Sequence, residues 1–457
     1  MKKSASLKIS ISGARGIVGD SLTPQLAAAL AQAFGTYVGA GPVLVGRDAR
    51  PSGVMLAEAV AAGLSAVGCS PVDVGILPIP SFLLATKAMK AAGGIAVTAS
   101  HNPKQWNGLK FINRDGLYLN AHQMEETLDI YHQGEFHFVP ADQFRSFRTA
   151  AEGGEIHLRR LHHRFNTAVI GKRRFRVALD CNNGAGAVLA PRFLRELGCE
   201  VIPLYAEPNG EFAHDPEPLP ENIADICAAV KTSRADLGFV QDADADRLAI
   251  VDEKGRPLGE EMTLALAARH VLGKKRGSVV CNLSTSRVMD DIAADRGVKI
   301  FRTRIGETHV VETLLSVRPA AVIGGEGNGG VIDPDIHPCR DSFAAMGLVL
   351  EAMAESGQTI SALSRSLPRY VLLKGKIEGS AEQAHRLIGL LKKTYEGRGR
   401  VSMVDGLKAD FDDYWIHVRP SNTEPIIRLL AEARTGAKAR AALEALRNDI
   451  SAAMRKL

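Results

Sequence analysis

The chain has 457 residues, of which 46% are apolar and 23% charged, a composition that excludes a disordered chain, a collagen and a coiled coil. The net charge of +5 comes from scattered basic residues and aromatic residues are only 5%, so a nucleic-acid partner is not expected. The six cysteines include no closely spaced pair, and no apolar run suits a signal peptide or a membrane span. We therefore expect a cytoplasmic protein of the size of an enzyme, with no membrane partner.

In chain order, short apolar runs alternate with helical patterns through most of the sequence. Thr23 and Pro24 predict a helix start, because a capping hydroxyl precedes a proline at the first helical position. Strands are predicted at 43–46, 94–97, 175–180, 200–204, 235–240, 248–252, 278–281 and 320–323. Helices are predicted after Ser52, at 187–197, from about Glu221 and after Asp341. This alternation predicts parallel sheets covered by helices.

The last part of the chain has a different pattern. Strands around Val401 and Trp415, a loop at 419–424, a strand at 426–430 and a closing helix predict an α+β module. We place the boundaries near 153–154, in the 253–257 turn and near Leu367. The predicted domains are 1–154, 155–255 and 256–367, all α/β, and 368–457, which is α+β.

The first motif is a Thr-Ala-Ser-His-Asn-Pro sequence at 98–103, directly after a predicted strand. The loop at the carboxyl end of a parallel strand is where α/β proteins place ligands. We expect the turn to expose the hydroxyl of Ser100 as a nucleophile. The alternative is an ordinary Asn-Pro turn, and the sequence is not the Gly-x-Ser-x-Gly elbow of an α/β-hydrolase.

The second motif places Asp242, Asp244 and Asp246 between two predicted strands. Carboxylates at every second position of an extended loop project to one side, which suits a hard divalent cation such as Mg²⁺. The pattern imitates an EF-hand loop, but Arg247 stands where that loop needs glycine, and its flanks are strands rather than helices. A solvated acidic loop without a metal is the remaining alternative.

The third motif is a glycine-rich segment at 324–330 that presents Glu326 and Asn328. These groups suit hydrogen bonds to vicinal sugar hydroxyls. The segment contains Gly-x-Gly-x-x-Gly, but the residues that follow cannot start the helix that a dinucleotide fingerprint requires. A plain glycine-rich hairpin is the alternative.

The fourth motif is a donor-rich loop at 419–425. Two guanidiniums, two hydroxyls and an amide make a phosphate cradle, from Arg419, Ser421, Asn422, Thr423 and Arg428. A polar connecting loop is the alternative. Arg15 and Lys110 also stand beside glycines that allow close approach, although each alone is typical of a surface cation.

Together, a hydroxyl nucleophile, a cation loop, a polyol-binding turn and a phosphate cradle indicate phosphoryl transfer on a phosphorylated sugar. The sequence resembles the α-D-phosphohexomutase family over essentially its whole length. The segments 98–103, 242–247, 325–330 and 419–425 resemble its phosphoserine, magnesium, sugar and phosphate loops, and 46–53 resembles a further family segment. The resemblance implies four domains around a central cleft, three α/β with mixed sheets and a hinged C-terminal α+β domain.

The resemblance also implies a mechanism. Ser100 is phosphorylated in the active enzyme and completes a Mg²⁺ site with the three aspartates. Phosphoryl transfer then gives a sugar 1,6-bisphosphate, either as intermediate or as activator. Transition-state charge is expected to be stabilised by Arg15, Lys110 and Arg247, and the unranked general acid/base candidates are His101, Lys110 and His309.

The partner is a small phosphosugar, bound by a monomer or a homodimer. Gly327, Asn328 and Gly330 resemble the sugar loop of phosphoglucosamine mutases, which favours conversion of glucosamine 6-phosphate to the 1-phosphate. Phosphomannomutase and phosphoglucomutase activities are the alternatives. A nucleotide-binding oxidoreductase, based on the glycines at 184 and 186, and a non-catalytic sugar-phosphate sensor are the rivals from other classes.

Overall fold

The computed structural model describes residues 6–10, 13–421 and 426–455. They belong to two compact units, the first formed by Met1–Val271 with Gly329–Ser364 and the second by Leu272–Asn328 with Arg365–Leu457. Within the described ranges, no helix combines the length and the apolar character needed to cross a membrane.

The first sheet has seven strands in the order β1-β2-β6-β5-β3-β4-β7. Its strands are β1 (Lys8–Ser10), β2 (Gly13–Ile17), β3 (Pro42–Arg47), β4 (Ser70–Ile76), β5 (Gly93–Val97), β6 (Trp106–Asn113) and β7 (Arg148–Thr149). The accompanying helices are α1 (Pro24–Val38), α2 (Gly53–Ala66), α3 (Ile79–Ala88) and α4 (Ala121–Gln133). The sheet is mixed, since β3 is parallel to β4 and β5 whereas β6 is antiparallel to β2 and β5.

Helix α1 begins where the sequence predicts. The Thr23 hydroxyl accepts a hydrogen bond from the Leu26 N–H at 3.3 Å, and Pro24 occupies the first turn. The buried face of α1 packs into the core of the sheet, where the Phe34 and Phe111 rings lie 5.3 Å apart. This core holds β5 in place. The carboxyl end of β5 leads into the loop that contains Ser100, residues 98–103, called the serine loop below.

The second sheet has the order β11-β10-β8-β9. Its strands are β8 (Arg176–Asp180), β9 (Glu200–Leu204), β10 (Leu237–Gln241) and β11 (Leu248–Asp252). The helices of this segment are α5 (Gly153–Arg164), α6 (Thr167–Arg173), α7 (Ala190–Glu196) and α8 (Ala224–Ser233). Strands β10 and β11 are antiparallel and fully buried, and Gln241 pairs with Leu248. The aspartates therefore lie in a six-residue hairpin loop, 242–247.

Two predicted helices differ in their bounds. The helix expected at 187–197 is a 3₁₀ turn, Ala185–Val188, followed by α7, because Pro191 fits only the first turn of a helix. The helix expected from Glu221 begins at Ala224, since the Asn222 N–H is bonded to the Leu219 carbonyl in a preceding turn.

The third segment again alternates helices and strands. It comprises α9 (Glu260–Lys274), β12 (Ser278–Asn282), α10 (Val288–Asp295), β13 (Ile300–Thr303), α11 (Glu307–Ser316), β14 (Ala321–Glu326), β15 (Gly330–Ile332), α12 (Ser342–Ser356) and α13 (Ile360–Arg365). Strand β12 pairs in parallel with β13 and β14. Residues 330–332 form a strand, so the glycine-rich segment leads into no helix and is not a dinucleotide fingerprint.

The C-terminal segment is α+β, as predicted. Its five strands form an antiparallel sheet in the order β16-β20-β19-β18-β17. The elements are β16 (Val371–Glu378), α14 (Ala381–Tyr395), β17 (Arg400–Ser402), β18 (Leu407–Asp410), β19 (Tyr414–Pro420), β20 (Ile426–Ala433) and α15 (Gly436–Met454). The prediction missed β16, β18 and α14, although Ser380 and Gln383 form a capping box that announces α14 in the sequence.

Candidate active site

Ser100 lies in the loop after β5 with its backbone in the left-handed region, at a φ of +53°. Its N–H donates to the Thr98 hydroxyl at 3.0 Å, and its carbonyl accepts from Arg50 Nη2 at 2.8 Å. Ser100 is only 2% exposed. The prediction of an exposed hydroxyl is therefore wrong for this structure, because these two bonds fold the loop inward.

Arg50 holds the backbone of the serine loop in place through hydrogen bonds. This fully buried guanidinium donates to the carbonyls of Ser100 and Asn102 and forms an ion pair with Asp48. Asp48 in turn accepts a hydrogen bond of 2.6 Å from the Thr98 hydroxyl. A buried guanidinium with several acceptors holds a loop in one geometry. Segment 46–53 thus acts on Ser100 through the loop backbone, a role that sequence reasoning did not assign.

The three aspartates of the second motif converge. Asp242, Asp244 and Asp246 are all fully buried, and each offers an oxygen within 4.8 Å of the others. They meet because loop 242–247 is a turn with Ala245 at a φ of +58°, rather than the extended segment that the alternation predicted. Complete burial also excludes the alternative of a solvated acidic loop.

The charges in this loop fit a divalent cation. One oxygen on each aspartate lacks a hydrogen-bond partner among the described residues: Asp242 Oδ2, Asp244 Oδ1 and Asp246 Oδ1. Burial, together with the charges of Asp246 and Asp244, raises the pKa of Asp242 well above its usual value. Buried carboxylate oxygens without donors are costly unless a cation neutralises them, and oxygen donors of this type are what Mg²⁺ prefers.

Four cationic side chains surround the aspartates. Lys110 Nζ lies 2.9 Å from Asp244 Oδ2, and Arg340 Nη2 lies 2.6 Å from Asp246 Oδ2. Burial alone raises the pKa of Asp244, but the charge and hydrogen bond of Lys110 outweigh it and hold that pKa below its usual value. Arg247 lies 3.8 Å from two of the aspartates. Arg15, whose pKa is lowered by burial, donates to Asn102 Oδ1 at 3.4 Å.

The predicted cations Arg15, Lys110 and Arg247 are thus not ordinary surface residues. Sequence reasoning missed Arg340, whose only local signal is its place just before the N-cap of α12. Its bond to Asp246 joins residues 94 positions apart, a distance that no local pattern encodes.

His101 lies between the Ser100 side chain and a guanidinium. Arg247 Nη2 is 3.1 Å from His101 Nδ1, and Ser100 Oγ is 3.3 Å from the same nitrogen. Because arginine is always protonated, it donates and Nδ1 accepts. The Arg247 charge, burial and the Arg15 charge lower the pKa of His101 well below its usual value. His101 is therefore neutral at pH 7 and a weak base.

Glu326, at the end of β14, is a fixed acceptor in the second unit. Its Oε1 accepts from Asn282 Nδ2 at 2.7 Å and from the Gly306 N–H at 3.0 Å. Glu326 is 3% exposed, and Asn328 is half-buried in the turn that follows. Asn282, at the end of β12, is a further residue that sequence reasoning missed.

His309 lies on the first turn of α11, in the segment that donates to Glu326 through Gly306. Its ring is half-buried, and its Nδ1 is 3.8 Å from a Glu312 carboxylate oxygen. The structure thus places this candidate acid/base residue in the same unit as the predicted sugar loop.

Arg419 and Arg428 face each other across β19 and β20. Burial lowers the pKa of Arg419, and the charge of Arg428 lowers it further. Among the described residues, Arg419 Nε is buried without a hydrogen-bond partner. Two adjacent guanidiniums favour an anion such as phosphate. The Ser421 N–H donates to the Ile426 carbonyl, whereas the predicted donors Asn422 and Thr423 lie outside the described residues.

Replacing Arg419 with alanine is expected to raise KM for the phosphosugar by about 10- to 100-fold, with a smaller change in kcat. The reason is the loss of the charge-assisted hydrogen bonds that the predicted cradle would make to phosphate, worth about 1.5–3 kcal/mol. Steady-state kinetics of Arg419→Ala, Arg419→Lys and Arg386→Ala test this, since Arg386 is an exposed arginine on α14 of the same unit. An unchanged KM in Arg419→Ala contradicts the cradle.

Comparison with known proteins gives matches along nearly the whole chain. Residues 7–138, 155–255 and 259–370 match the alpha/beta/alpha domains I, II and III of phosphoglucomutase/phosphomannomutase, and 374–449 match its C-terminal domain. A "Phosphoglucomutase/phosphomannomutase" from Thermococcus kodakarensis is 38% identical over 442 residues, covering 94% of this chain and 96% of the relative. The chain belongs to the phosphohexomutase family.

A second relative and a solved structure support the same family assignment. A "Probable phosphoglucosamine mutase" from Methanopyrus kandleri is 36% identical over 434 residues, covering 94% of each chain. The crystal structure of a phosphoglucomutase/phosphomannomutase family protein from Burkholderia thailandensis superposes with a TM-score of 0.86 at 28% identity, covering 98% of each chain. As a phosphohexomutase, the protein is an isomerase that acts by intramolecular phosphoryl transfer, and its predicted fold of three α/β domains and an α+β domain is confirmed.

The packing of Gly184 and Gly186 argues against the alternative of a nucleotide-binding oxidoreductase. A Cβ on Gly184 would lie 2.6 Å from the Ala243 carbonyl oxygen, and one on Gly186 would lie 2.1 Å from Gln241 Oε1. Both glycines therefore allow close packing against β10 and the aspartate loop, rather than approach of a pyrophosphate.

Proposed function

We propose that this phosphohexomutase interconverts glucosamine 6-phosphate and glucosamine 1-phosphate. The observation that carries the chemistry is the buried aspartate cluster in the same unit as Ser100, in which each residue has one oxygen without a hydrogen-bond partner in the described part of the chain. The preference for glucosamine phosphate draws support from the Gly-Asn-Gly-Gly sugar loop and from relatives named probable phosphoglucosamine mutase. Phosphomannomutase or phosphoglucomutase activity by the same mechanism is the second candidate, favoured by the name of the Thermococcus relative.

Ser100 carries a phosphoryl group between turnovers. In the first transfer, the bond from Ser100 Oγ to phosphorus breaks while a bond from the free sugar hydroxyl to phosphorus forms, and the hydroxyl proton passes to a base. The product is the sugar 1,6-bisphosphate. In the second transfer the other phosphoryl group returns to Ser100 Oγ, and the proton returns to the sugar oxygen that it leaves. Atoms and charge therefore balance over one cycle.

Asp242, Asp244 and Asp246 would hold Mg²⁺, and the ion would neutralise charge on the transferring phosphoryl group when bound. A phosphoserine carries about −1.5 to −2 charges at pH 7, so it needs cations beside the aspartates. Lys110, Arg247 and Arg340 already contact these carboxylates and are suited to stabilise the transition state, together with Arg15.

We propose His309 as the group that accepts the sugar hydroxyl proton, because Lys110 is an ammonium paired with Asp244 and can donate a proton but not accept one. The lowered pKa of His101 makes it a poor proton acceptor near neutral pH, because a general base works best when its pKa is close to the working pH. His101 Nδ1 also lies 3.3 Å from Ser100 Oγ, so we infer that the neutral ring helps to position the serine side chain.

Substrate recognition belongs to the second unit. Glu326 and Asn328 would accept and donate hydrogen bonds to sugar hydroxyls. The phosphate that is not reacting would be bound by the cradle residues: Arg419, Ser421, Asn422, Thr423 and Arg428. We further propose functional domains at 1–154, 155–255, 256–367 and 368–457, a cytoplasmic location, and a monomer or homodimer.

The test is ³¹P NMR of the purified protein with Mg²⁺ and a trace of sugar 1,6-bisphosphate. Glucosamine 6-phosphate, mannose 6-phosphate and glucose 6-phosphate are supplied separately. We expect glucosamine 6-phosphate to be converted fastest to its 1-phosphate. Faster conversion of mannose or glucose phosphate would retain the mechanism and replace the substrate. No conversion of any of them, by protein shown to carry phosphoserine, would refute the proposed substrate class.

A further inference from the structure

Two helix starts hold the backbone of the aspartate loop from outside. The Ile79 N–H, at the start of α3, donates to the Asp244 carbonyl at 3.0 Å. The Ser342 hydroxyl, at the start of α12, donates to the Ala245 carbonyl at 2.6 Å. Ala245 has a left-handed backbone, a conformation that persists in a non-glycine residue only where its surroundings impose it. The shape of the loop therefore depends on where α3 and α12 begin.

One histidine joins these two helices. His157, on α5, is 1% exposed, and its Nδ1 lies 2.8 Å from the hydroxyl of Ser81 on α3. Its Nε2 lies 2.9 Å from Asp341 Oδ2, the N-cap of α12. Ser81 is two residues after Ile79, and Asp341 directly precedes Ser342. His157 is thus bonded to both helices that hold the loop, next to the residues that make the contacts.

The hydrogen-bond directions follow from the chemistry of the partners. Asp341 accepts the Phe343 N–H through Oδ1, as a capping carboxylate does, so its Oδ2 accepts from His157 Nε2. In the tautomer with its proton on Nε2, His157 Nδ1 accepts from the Ser81 hydroxyl. The Phe343 ring packs edge-on to the imidazole at 5.2 Å and fixes its plane. In a buried network of this kind, the loss of one partner leaves an unsatisfied polar group and shifts the elements that it joined.

We propose that His157 is a positioning residue for the cation site. Its hydrogen bonds go to Ser81 and Asp341 rather than to the three aspartates. It sets the spacing between the starts of α3 and α12, and through Ile79 and Ser342 it sets the directions of the aspartate oxygens. This inference rests on the proposed Mg²⁺ site. It predicts that loss of the His157 bonds weakens Mg²⁺ binding in folded protein, whereas a merely structural histidine would affect melting temperature alone.

The test is isothermal titration of Mg²⁺ into the full-length protein, with thermal melting recorded for each variant. His157→Phe keeps the ring volume and removes both hydrogen bonds, and we expect its Kd for Mg²⁺ to rise about tenfold. His157→Gln keeps a donor near the Nε2 position, so a smaller rise is expected. The matched control is His162→Phe on the same helix, since His162 bonds Glu196 and lies far less buried. Its Kd should stay within about twofold of wild type.

A folded His157→Phe protein with the wild-type Kd would overturn the positioning role. If that variant does not fold, Ser81→Ala removes only one bond of the pair, and a Kd equal to wild type there would overturn it equally. Failure of the wild type itself to bind Mg²⁺ would refute the cation site and this inference together. The identity of the sugar is not involved in any of these outcomes, so the proposed substrate stands or falls separately.

Discussion

Replacing Ser100 with alanine or with glycine is expected to abolish phosphoryl transfer, and the two variants should differ only in stability. Both lack the hydroxyl that we propose carries the phosphoryl group, so activity should fall on the order of 10⁴-fold or more. The loop geometry survives in both, because Thr98 and Arg50 bond the backbone of residue 100 rather than its side chain. Glycine tolerates the φ of +53° without strain, so Ser100→Gly should be about 1 kcal/mol more stable than Ser100→Ala.

Three measurements check this result. Coupled or ³¹P NMR assays give the activity, intact-mass spectrometry shows whether one phosphoryl group is present, and thermal melting compares the two variants. The control is Ser65→Ala, a half-buried serine on α2 whose hydroxyl bonds the Arg145 carbonyl outside the site. Turnover near the wild-type rate in either Ser100 variant would refute the nucleophile assignment.

Asp242→Asn and Asp244→Asn are both expected to lose at least about a hundredfold of activity, yet with opposite effects on the stability of the metal-free protein. At Asp242, an asparagine keeps Oδ1 as acceptor for the Asp246 and Arg247 N–H groups. Its amide nitrogen takes the place of Oδ2, which has no partner among the described residues. The change removes a repulsive buried charge, so Asp242→Asn should melt at a higher temperature than wild type.

Asp244→Asn has the reverse effect because it removes the charge that pairs with Lys110. A buried ammonium left without its carboxylate destabilises a protein by about 3–5 kcal/mol. Melting curves without metal, and again with Mg²⁺, distinguish the two variants. Mg²⁺ should raise the melting temperature of the wild type more than that of either variant. Wild-type activity in both variants, or indifference of the wild type to a chelator, would remove the metal from the mechanism.

The sign of the pH dependence at Asp242 follows from its environment. Its folded-state pKa is raised, so the folded protein binds this proton more readily than the unfolded chain does. Without metal, this carboxyl therefore destabilises the fold at neutral pH. That cost falls as the pH drops through the raised pKa. The Asp242→Asn variant should lose this part of the pH dependence of unfolding.

Several features of the molecule follow from local sequence. Thr23 and Pro24 predict the start of α1 because both act within one helical turn. The apolar runs on either side of the aspartates predict β10 and β11, and hence a loop between antiparallel strands. The four chemical motifs, in their order, predict the family and the reaction class. These predictions succeed because each depends on residues close together in the chain.

Other features were decided only by the tertiary structure. The burial of Ser100 depends on Arg50, which is 50 positions away, and the charge at Asp246 is met by Arg340, 94 positions away. The pKa of His101 is lowered by the charge of Arg247, by burial and by the charge of Arg15, all of which arise when the chain folds. Strands β16 and β18 were missed, and the structure pairs β16 with β20 and β18 with β17 and β19. The sequence by itself determined which chemical groups the protein has and in which loops they lie. Only the folded chain decided which of them are buried, paired and charged, because burial and Coulomb interactions depend on distances in space rather than on spacing along the chain.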